Sequence, residues 1–179
     1  RLLAELPEYT ADMTRFTLAT GLRKSNVTQL EWSQVDLNAR RAWIHADQAK
    51  ANKAIAVPLN SEAVVVLRKQ VGKHPVRVFT YKGHPIKDIG VTAWRSALKR
   101  AEIENFRWHD LRHTWASWHV QGGTPLYILQ ELGGWESIEM VKRYAHLSPD
   151  HLAEYVEKLA QPRLVHSNGA KIGTKLLHR

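Results

Sequence analysis

Cysteine is absent from the 179 residues, which excludes thiol catalysis, cysteine-bound zinc and iron–sulfur clusters. No apolar run reaches the roughly 18 residues that a membrane-spanning helix needs, and no charged-then-apolar leader opens the chain. A phosphate-binding GxxxxGK[ST] loop and the carboxylate cluster of a two-metal nuclease are also missing. We therefore expect a soluble, cytoplasmic protein that has no membrane partner. The missing motifs agree with chemistry that uses no ATP, metal or other cofactor.

Positive charge predominates: 26 Lys and Arg residues stand against 17 Asp and Glu residues, and the formal net charge is +9. Such a surplus favours a polyanionic partner, because cationic side chains release counterions from a phosphate backbone. Charge alone also fits a merely basic soluble protein. Nucleic acid is therefore a candidate partner that motifs must support, and it implies a nucleoid-associated protein.

The domain organisation is simple. Glycine and proline fall singly between periodic segments, and no linker-like run or internal repeat interrupts them. We predict one domain over residues 1–159. Acidic residues are absent after Glu157 while basic ones continue, so residues 160–179 are expected to form a basic tail that is mobile unless a partner orders it. Because the chain opens on Arg1, directly before a helix-like segment, we expect a further domain to precede it.

Helices dominate the prediction. Tyr9–Ala19 has near-helical apolar spacing and stops at Gly21, and Ser25 and Ser61 are expected to cap two further helices. After Lys87 the pattern is helical throughout. The predicted segments there are Asp88–Ala101, His109–Gln121, Pro125–Leu132, Ser137–Tyr144 and a final helix that begins at Ser148-Pro149.

Three short strands are predicted between the helices. Ala42–His45 and Ile55–Pro58 are β-like runs joined by the polar turn Lys50–Lys53, as in a hairpin, and a third strand is predicted at Arg77–Tyr81. Most of the seven tryptophans are spaced like core positions rather than like a base-stacking surface. The fold class is therefore α+β, mostly α-helical with a small three-stranded antiparallel sheet.

His109 and Arg112 lie three residues apart, so they share a helix face on which an imidazole and a guanidinium can converge on one anion. Arg23 follows a tight bend that Gly21 permits and is a candidate second phosphate ligand. Each of these side chains also fits an ordinary solvated surface. His109 and His113 have a zinc-like spacing, but no third ligand or HExxH glutamate accompanies them, so no metal site is predicted.

Lys50 and Lys53 lie in the polar turn, from which an ammonium group can reach into a cleft and deliver a proton, although such lysines commonly only solvate a hairpin tip. Tyr144 follows Lys142 and Arg143, whose positive charges favour the phenolate of a side chain with an ordinary pKa of about 10. Tyr144 is thus a candidate nucleophile toward phosphorus. A tyrosine near a helix end more often packs its ring.

Five motifs in order give these residues a joint meaning. The chain carries Thr20-Gly21-Leu22-Arg23, then Lys50 before Ala56-Val57-Pro58-Leu59, then His109-Asp110-Leu111-Arg112-His113-Thr114, then Leu132-Gly133-Gly134-Trp135, then Arg143-Tyr144-Ala145-His146-Leu147-Ser148. The pattern closely resembles the tyrosine recombinases, or phage integrases, over roughly residues 9–159. The resemblance implies the catalytic-domain fold of that family and site-specific DNA recombination as the activity.

The resemblance implies a role for each matching position. Arg23 and Arg112 look like the two arginines that clamp the scissile phosphate. His109 resembles the histidine that assists proton movement and phosphate binding, and Lys50 matches the hairpin lysine that acts as general acid for the departing 5′-hydroxyl. Tyr144 matches the nucleophile that forms a 3′-phosphotyrosine.

Two further positions follow the family pattern and one departs from it. Trp135 stands where the family has His or Trp, a side chain that buttresses the phosphate. Lys53 and Arg143 are additional candidate contacts to DNA phosphates. Asn26 occupies a position that is usually acidic, so it supplies no negative charge to orient its neighbours, and we expect activity to be reduced.

The resemblance also implies partners. They are double-stranded DNA carrying attachment sites, a smaller helical domain that precedes the catalytic one, three further protomers in a tetramer on synapsed DNA, and a directionality factor. The isolated chain is expected to be a monomer. Two other interpretations stay open: a DNA-binding module without catalysis, and an enzyme like type IB topoisomerases that relaxes DNA without a specific site.

Overall fold

The computed structural model describes residues 1–48, 53–86 and 89–148. The helices are α1 (Leu2–Glu5), α2 (Glu8–Thr20), α3 (Lys24–Thr28), α4 (Ser61–Gln70), α5 (Val91–Arg100), α6 (Trp108–Gln121), α7 (Leu126–Gly133) and α8 (Glu139–Lys142). The strands are β1 (Val35–Asp36), β2 (Arg41–Ile44), β3 (Ile55–Pro58), β4 (Thr80–Tyr81) and β5 (His84–Pro85). The predicted final helix after Ser148 and the predicted tail at 160–179 lie outside the described residues. Within those residues, no helix is long and apolar enough to cross a membrane.

α2 packs against both α4 and α6 and lies at the centre of the fold. Its buried face contains threonines, which a core accepts when their hydroxyl groups are satisfied. The hydroxyls of Thr14, Thr17 and Thr20 donate to carbonyls four residues earlier, at 2.8, 2.9 and 2.7 Å. The helix confirms the prediction for this segment. It ends at Gly21, where a Cβ atom would lie 2.3 Å from the Trp115 ring, so the end of α2 lies directly against α6.

The main sheet is antiparallel, in the order β1-β2-β3. In the register of β2 and β3, Ala42 pairs with Val57 and Ile44 pairs with Ile55. These four side chains are buried, while the residues between them face solvent. This alternation is the period of two that places one face of a strand on a core. The predicted hairpin is confirmed in its two strands, and residues 49–52 of its turn lie outside the described residues.

The predicted third strand at Arg77–Tyr81 is confirmed only in part: Thr80–Tyr81 form a strand and Arg77 forms an isolated antiparallel bridge with Glu31, but the segment does not join the main sheet. The third strand of the main sheet is β1, which pairs with β2 through Val35↔Ala42. Val78 and Phe79 are both buried, and the amide of Val78 donates to the Leu30 carbonyl at 2.9 Å, so this segment pairs with another loop. Only its last two residues, β4, form a ladder, and they pair with β5 in a separate hairpin. A short buried apolar run has the same composition whether or not it joins a sheet.

Two predicted helix caps are displaced. Asn60, not Ser61, caps α4, because its side chain accepts a hydrogen bond from the Ala63 amide at 2.9 Å. α3 begins after Arg23, so Ser25 lies inside the helix instead of capping it. Both errors place a small polar residue one or two positions from the true boundary, where the same residue types are also tolerated.

Buried apolar side chains form two clusters, which we call the main core and, because it contains the candidate nucleophile Tyr144, the nucleophile cluster. Among the described residues, the main core contains 27 buried side chains from α1 to the first turn of α6. The nucleophile cluster contains six, which are Trp115, Ala116, Val120, Leu129, Val141 and Tyr144. α6 contributes Trp108 and Leu111 to the main core and its later residues to the nucleophile cluster. The helix therefore connects the two.

The tryptophans follow the core prediction at five of seven positions. Trp94, Trp108 and Trp115 are buried, and Trp32 and Trp135 pack against the clusters while partly exposed. The other two, Trp43 and Trp118, are 37% and 54% exposed. Trp43 faces solvent because its neighbours on β2 occupy the buried face of the strand.

Candidate active site

Arg112 is the most buried charged side chain of the site, with 4% of its surface exposed. Its guanidinium donates to the Gly21 carbonyl at 2.7 Å and to the Gly133 carbonyl at 2.6 Å, at the ends of α2 and α7. Burial lowers the pKa of Arg112 to about 9, and the nearby charge of Arg23 acts in the same direction. Neither carbonyl carries a negative charge. A buried cation held by neutral carbonyls is favourably placed to bind an anion.

Arg23 provides a second guanidinium near Arg112. It directly precedes α3 and is partly buried, which lowers its pKa, while the charge of Glu136 opposes that shift. The charge of Arg23 also lowers the pKa of Arg112, so the two guanidiniums lie within electrostatic range of each other. A phosphate group between two such cations would relieve their repulsion.

Trp135 covers Arg112, with the guanidinium carbon 4.1 Å from the centre of the indole ring. The preceding glycines make this arrangement possible. A Cβ atom on Gly133 would lie 1.9 Å from the Trp135 ring, and Gly134 ends α7 with a left-handed φ of 60°. The Leu-Gly-Gly-Trp sequence is therefore a geometric requirement for placing the indole over the arginine.

Tyr144 is only 5% exposed and belongs to the nucleophile cluster. The predicted helix Ser137–Tyr144 is shorter in the structure: α8 ends at Lys142, and the Tyr144 amide donates to the Val141 carbonyl at 3.0 Å, three residues earlier. Its ring centre lies 6.3 Å from that of Trp135. Burial raises the pKa of the Tyr144 phenol, while the charges of Arg143 and Arg112 oppose that shift.

His113 contacts the Tyr144 hydroxyl through its Nδ1 atom at 2.5 Å. From the sequence this histidine was considered only as a metal ligand, and its place in the site was missed. The signal was present, since His113 lies four residues after His109 and therefore on the same face of α6. The two imidazole rings meet edge to face, with centres 4.8 Å apart. Loss of solvent lowers the pKa of His109, and the charges of His113 and Arg112 add to the effect.

The remaining predicted residues lie at the margins. Lys53 is exposed and lines a groove of about 790 Å³ that it shares with Ile55 and Trp135. Arg143 is exposed beside Tyr144, where its charge lowers the pKa of His113. Lys50 lies outside the described residues, so its position in the hairpin remains a prediction.

Asn26, at the position where an acidic residue was expected, is buried. Its Nδ2 atom donates to the Gln48 carbonyl at 3.0 Å, and its Oδ1 atom has no hydrogen-bond partner among the described residues. A carboxylate here would direct an oxygen, with no hydrogen to donate, at that carbonyl. The amide is therefore explained locally by the Gln48 backbone.

The structure thus brings together five of the six predicted catalytic residues, which are Arg23, His109, Arg112, Trp135 and Tyr144. Arg112 interacts electrostatically with the guanidinium of Arg23, the imidazole of His109 and the phenol of Tyr144. Such an arrangement can bind one phosphodiester group, stabilise negative charge on its oxygens and present an oxygen nucleophile to its phosphorus.

Comparison with known proteins gives matches to integrases. The phage integrase family matches residues 1–151. The chain is 50% identical to the integrase of Salmonella phage P22 over 97% of this chain and 50% of that protein. It is 34% identical to the integrase of Haemophilus phage HP1 over 81% of this chain and 39% of that protein. The chain therefore spans half or less of the length of these relatives.

Solved structures of integrases have similar folds, in agreement with the family match. The catalytic domain of bacteriophage HP1 integrase superposes with a TM-score of 0.67 at 32% identity, covering 88% of each chain. A Tn1549 transposon integrase, solved in complex with a circular intermediate DNA, has a TM-score of 0.73 at 17% identity and covers 88% of this chain and 62% of its own. At that identity the second match concerns the fold alone. Together these matches confirm the predicted fold class, mostly helical with a three-stranded antiparallel sheet.

Proposed function

The chain belongs to the phage integrase family, and on that premise we propose that it is the catalytic domain of a site-specific tyrosine recombinase. Its substrate is double-stranded DNA with attachment sites, which it cleaves and rejoins through a 3′-phosphotyrosine at Tyr144. The observation that carries the proposal is the buried guanidinium of Arg112, which is held by neutral carbonyls beside that tyrosine.

The first step is binding of the scissile phosphate between Arg23 and Arg112. A phosphodiester in transit between two oxygens gathers negative charge on its equatorial oxygens, and fixed guanidiniums stabilise that charge without reorganising. Arg112 is fixed by its two carbonyl contacts and by the indole of Trp135 above it. His109 adds a hydrogen-bond donor at the edge of the same site, and Lys53 and Arg143 contact flanking phosphates.

The second step is attack of the Tyr144 oxygen on phosphorus. The bond to the 5′-oxygen breaks, and Lys50 donates a proton to that leaving group. Because the phosphodiester energy is kept in the tyrosyl linkage, a 5′-hydroxyl from a second strand can reverse the reaction, and no ATP is consumed.

The proposed assembly extends beyond this chain, which spans half or less of its relatives' length. We propose that residues 1–159 form the catalytic domain, that a smaller domain precedes them on the DNA, and that residues 160–179 form a basic tail. Four protomers act together on two sites, with a directionality factor selecting integration or excision. The isolated chain is expected to be a monomer whose DNA binding weakens steeply with salt.

A pool of nicked duplexes, randomised in sequence around the nick, tests this proposal even though the attachment sequence is unidentified. Loss of the short fragment traps any covalent adduct, which survives denaturing electrophoresis. The wild-type chain and Tyr127→Phe, a change at an exposed tyrosine, are expected to form adduct, and Tyr144→Phe is expected to form none. Adduct in the Tyr144→Phe variant would refute the assigned nucleophile.

The same assay separates the alternatives. Salt-sensitive DNA binding without adduct in any variant would indicate a binding module. Adduct that forms on every sequence in the pool, together with relaxation of supercoiled plasmid, would indicate an enzyme of the topoisomerase kind.

A further inference from the structure

The hydroxyl of Tyr144 has one hydrogen-bond partner among the described residues, the Nδ1 atom of His113 at 2.5 Å. The phenol is almost fully buried, and the direction of this hydrogen bond depends on the tautomer of His113. In the tautomer whose proton lies on Nε2, the bare Nδ1 atom accepts the hydrogen of the phenol. In that tautomer the resting site contains a proton acceptor aligned with the Tyr144 hydroxyl.

Both side chains are in the protonation state that this contact requires. Burial lowers the pKa of His113, which keeps the imidazole neutral near pH 7, and burial raises the pKa of Tyr144, which keeps the phenol protonated. A phenol in this state is a poor nucleophile until it loses its proton. Several charged groups act on His113: Asp110 raises its pKa, while Arg143, Arg107 and Arg112 lower it. The ring of His109 contacts that of His113. Arg143 and Arg112 also favour the phenolate of Tyr144.

We propose that His113 is the general base that takes the phenolic proton of Tyr144 during cleavage and returns it during rejoining. The proposal rests on the proposed function, because it names the proton acceptor for the attack described there. Among the described residues, no other side chain accepts a hydrogen bond from the Tyr144 hydroxyl.

The proton balance is complete in both directions. In cleavage, the O–H bond of Tyr144 breaks as its oxygen bonds to phosphorus, and the proton moves to Nδ1 of His113 to give an imidazolium. The 5′-oxygen leaves with a proton from the general acid assigned to Lys50. In rejoining, the attacking 5′-hydroxyl returns its proton to that acid, and the imidazolium protonates the departing tyrosine oxygen.

The imidazolium formed in this way remains beside the reacting phosphate. It adds a positive charge while the non-bridging phosphate oxygens carry the most negative charge, and those oxygens offset its repulsion with Arg112. His109 has a different place, since it is exposed and reaches His113 through a ring-edge contact instead of contacting Tyr144. In this proposal His109 binds the phosphate, and His113 exchanges a proton with Tyr144.

Two substitutions separate proton transfer from simple positioning. In His113→Asn the amide oxygen can still accept a hydrogen bond from the phenol but cannot hold a proton near pH 7, and His113→Ala removes both properties. We expect each variant to form adduct on the randomised nicked pool about 100-fold more slowly than wild type. Free imidazole should accelerate the alanine variant. The control is His119→Asn, which changes a histidine two turns later on α6 that bonds Thr124 instead, and it should keep the wild-type rate.

Each outcome decides the proposal. A wild-type rate in His113→Asn, or an alanine variant that imidazole does not accelerate, would overturn it and leave His113 as a structural residue. These failures differ from failure of the proposed function, in which the wild-type chain itself forms no Tyr144-dependent adduct.

A second readout needs no DNA. Nitrogen NMR of the histidine-labelled chain at about pH 7 should show His113 with a bare Nδ1 and a protonated Nε2, and Tyr144→Phe should change the Nδ1 shift. A protonated Nδ1 in the wild-type chain would contradict the proton path even if the chain cleaves DNA.

Discussion

The main core and the nucleophile cluster differ in size and in what they hold. The main core has 27 buried apolar residues, mostly aliphatic, and includes the sheet and α2. The nucleophile cluster has six, and one of them is Tyr144. Since stabilisation grows with buried apolar area, the main core supplies most of the folding energy. Among the described residues, Tyr144 therefore belongs to the smaller apolar cluster, where local opening is expected to cost less free energy than in the main core.

Arg112 joins these unequal parts. One of its carbonyl contacts, Gly21, ends a helix of the main core, and the other, Gly133, ends a helix of the nucleophile cluster. A single planar guanidinium thereby connects the end of α2 to the end of α7. The geometry of the proposed active site is therefore expected to depend on this junction more than on either cluster alone.

The largest effect is expected from breaking this junction. Arg112→Lys keeps the charge but replaces a planar fork with one ammonium group, whose three donors share a single nitrogen and cannot contact a phosphate bidentately while bonding both carbonyls. Adduct formation should fall by about 10³-fold, as when a fixed donor to a transition state is lost. Arg68→Lys, at an exposed position on α4, is the matched control. A lysine variant within about tenfold of wild type would show that bidentate binding is not needed.

A smaller effect is expected when only the nucleophile cluster is disturbed. Gly133→Ala places a methyl group into the Trp135 ring, which must move off Arg112. Such overpacking costs about 1–3 kcal/mol, and we expect cleavage to slow by about tenfold while the main core stays folded. Calorimetry and the adduct assay measure the two effects. Gly90→Ala is the control, because the nearest atom would be 3.9 Å away, and equal behaviour of both variants would contradict the packing role.

The smallest effect concerns pH. Burial lowers the pKa values of His113 and His119, and of His109 together with neighbouring charges. As pH falls through the ordinary histidine pKa of about 6.5, the unfolded chain takes up protons before the folded one, so stability decreases. The urea midpoint should fall modestly between about pH 7.5 and 5.5. His119→Gln should reduce the slope, and a midpoint that rises on acidification would contradict these pKa shifts.

Sequence reasoning succeeded where local pattern was sufficient. The spacing of His109 and Arg112 on one helix face, the helix before Gly21 and the β2–β3 hairpin all depend on residues close together in the chain. The ordered motifs then indicated that distant residues share a site, and Arg23, Trp135 and Tyr144 do lie near Arg112.

The rest depends on contacts that no local pattern contains. The hydrogen bond from Arg112 to the Gly21 carbonyl joins residues 91 positions apart. The sequence near either residue therefore does not predict it. The contact of His113 with Tyr144 spans 31 positions and was missed for the same reason. The segment at Val78 was predicted as a strand because burial and strand pairing favour the same apolar residues.

Whether Tyr144 is the nucleophile can be decided by locating the DNA-linked residue in the trapped adduct. After nuclease and trypsin digestion, the peptide of residues 144–158 contains both Tyr144 and Tyr155, so fragmentation by mass spectrometry must distinguish them. We predict a 3′-linked nucleotide on Tyr144. A nucleotide on Tyr155, on the exposed Tyr127 or on any other residue would contradict the proposed chemistry.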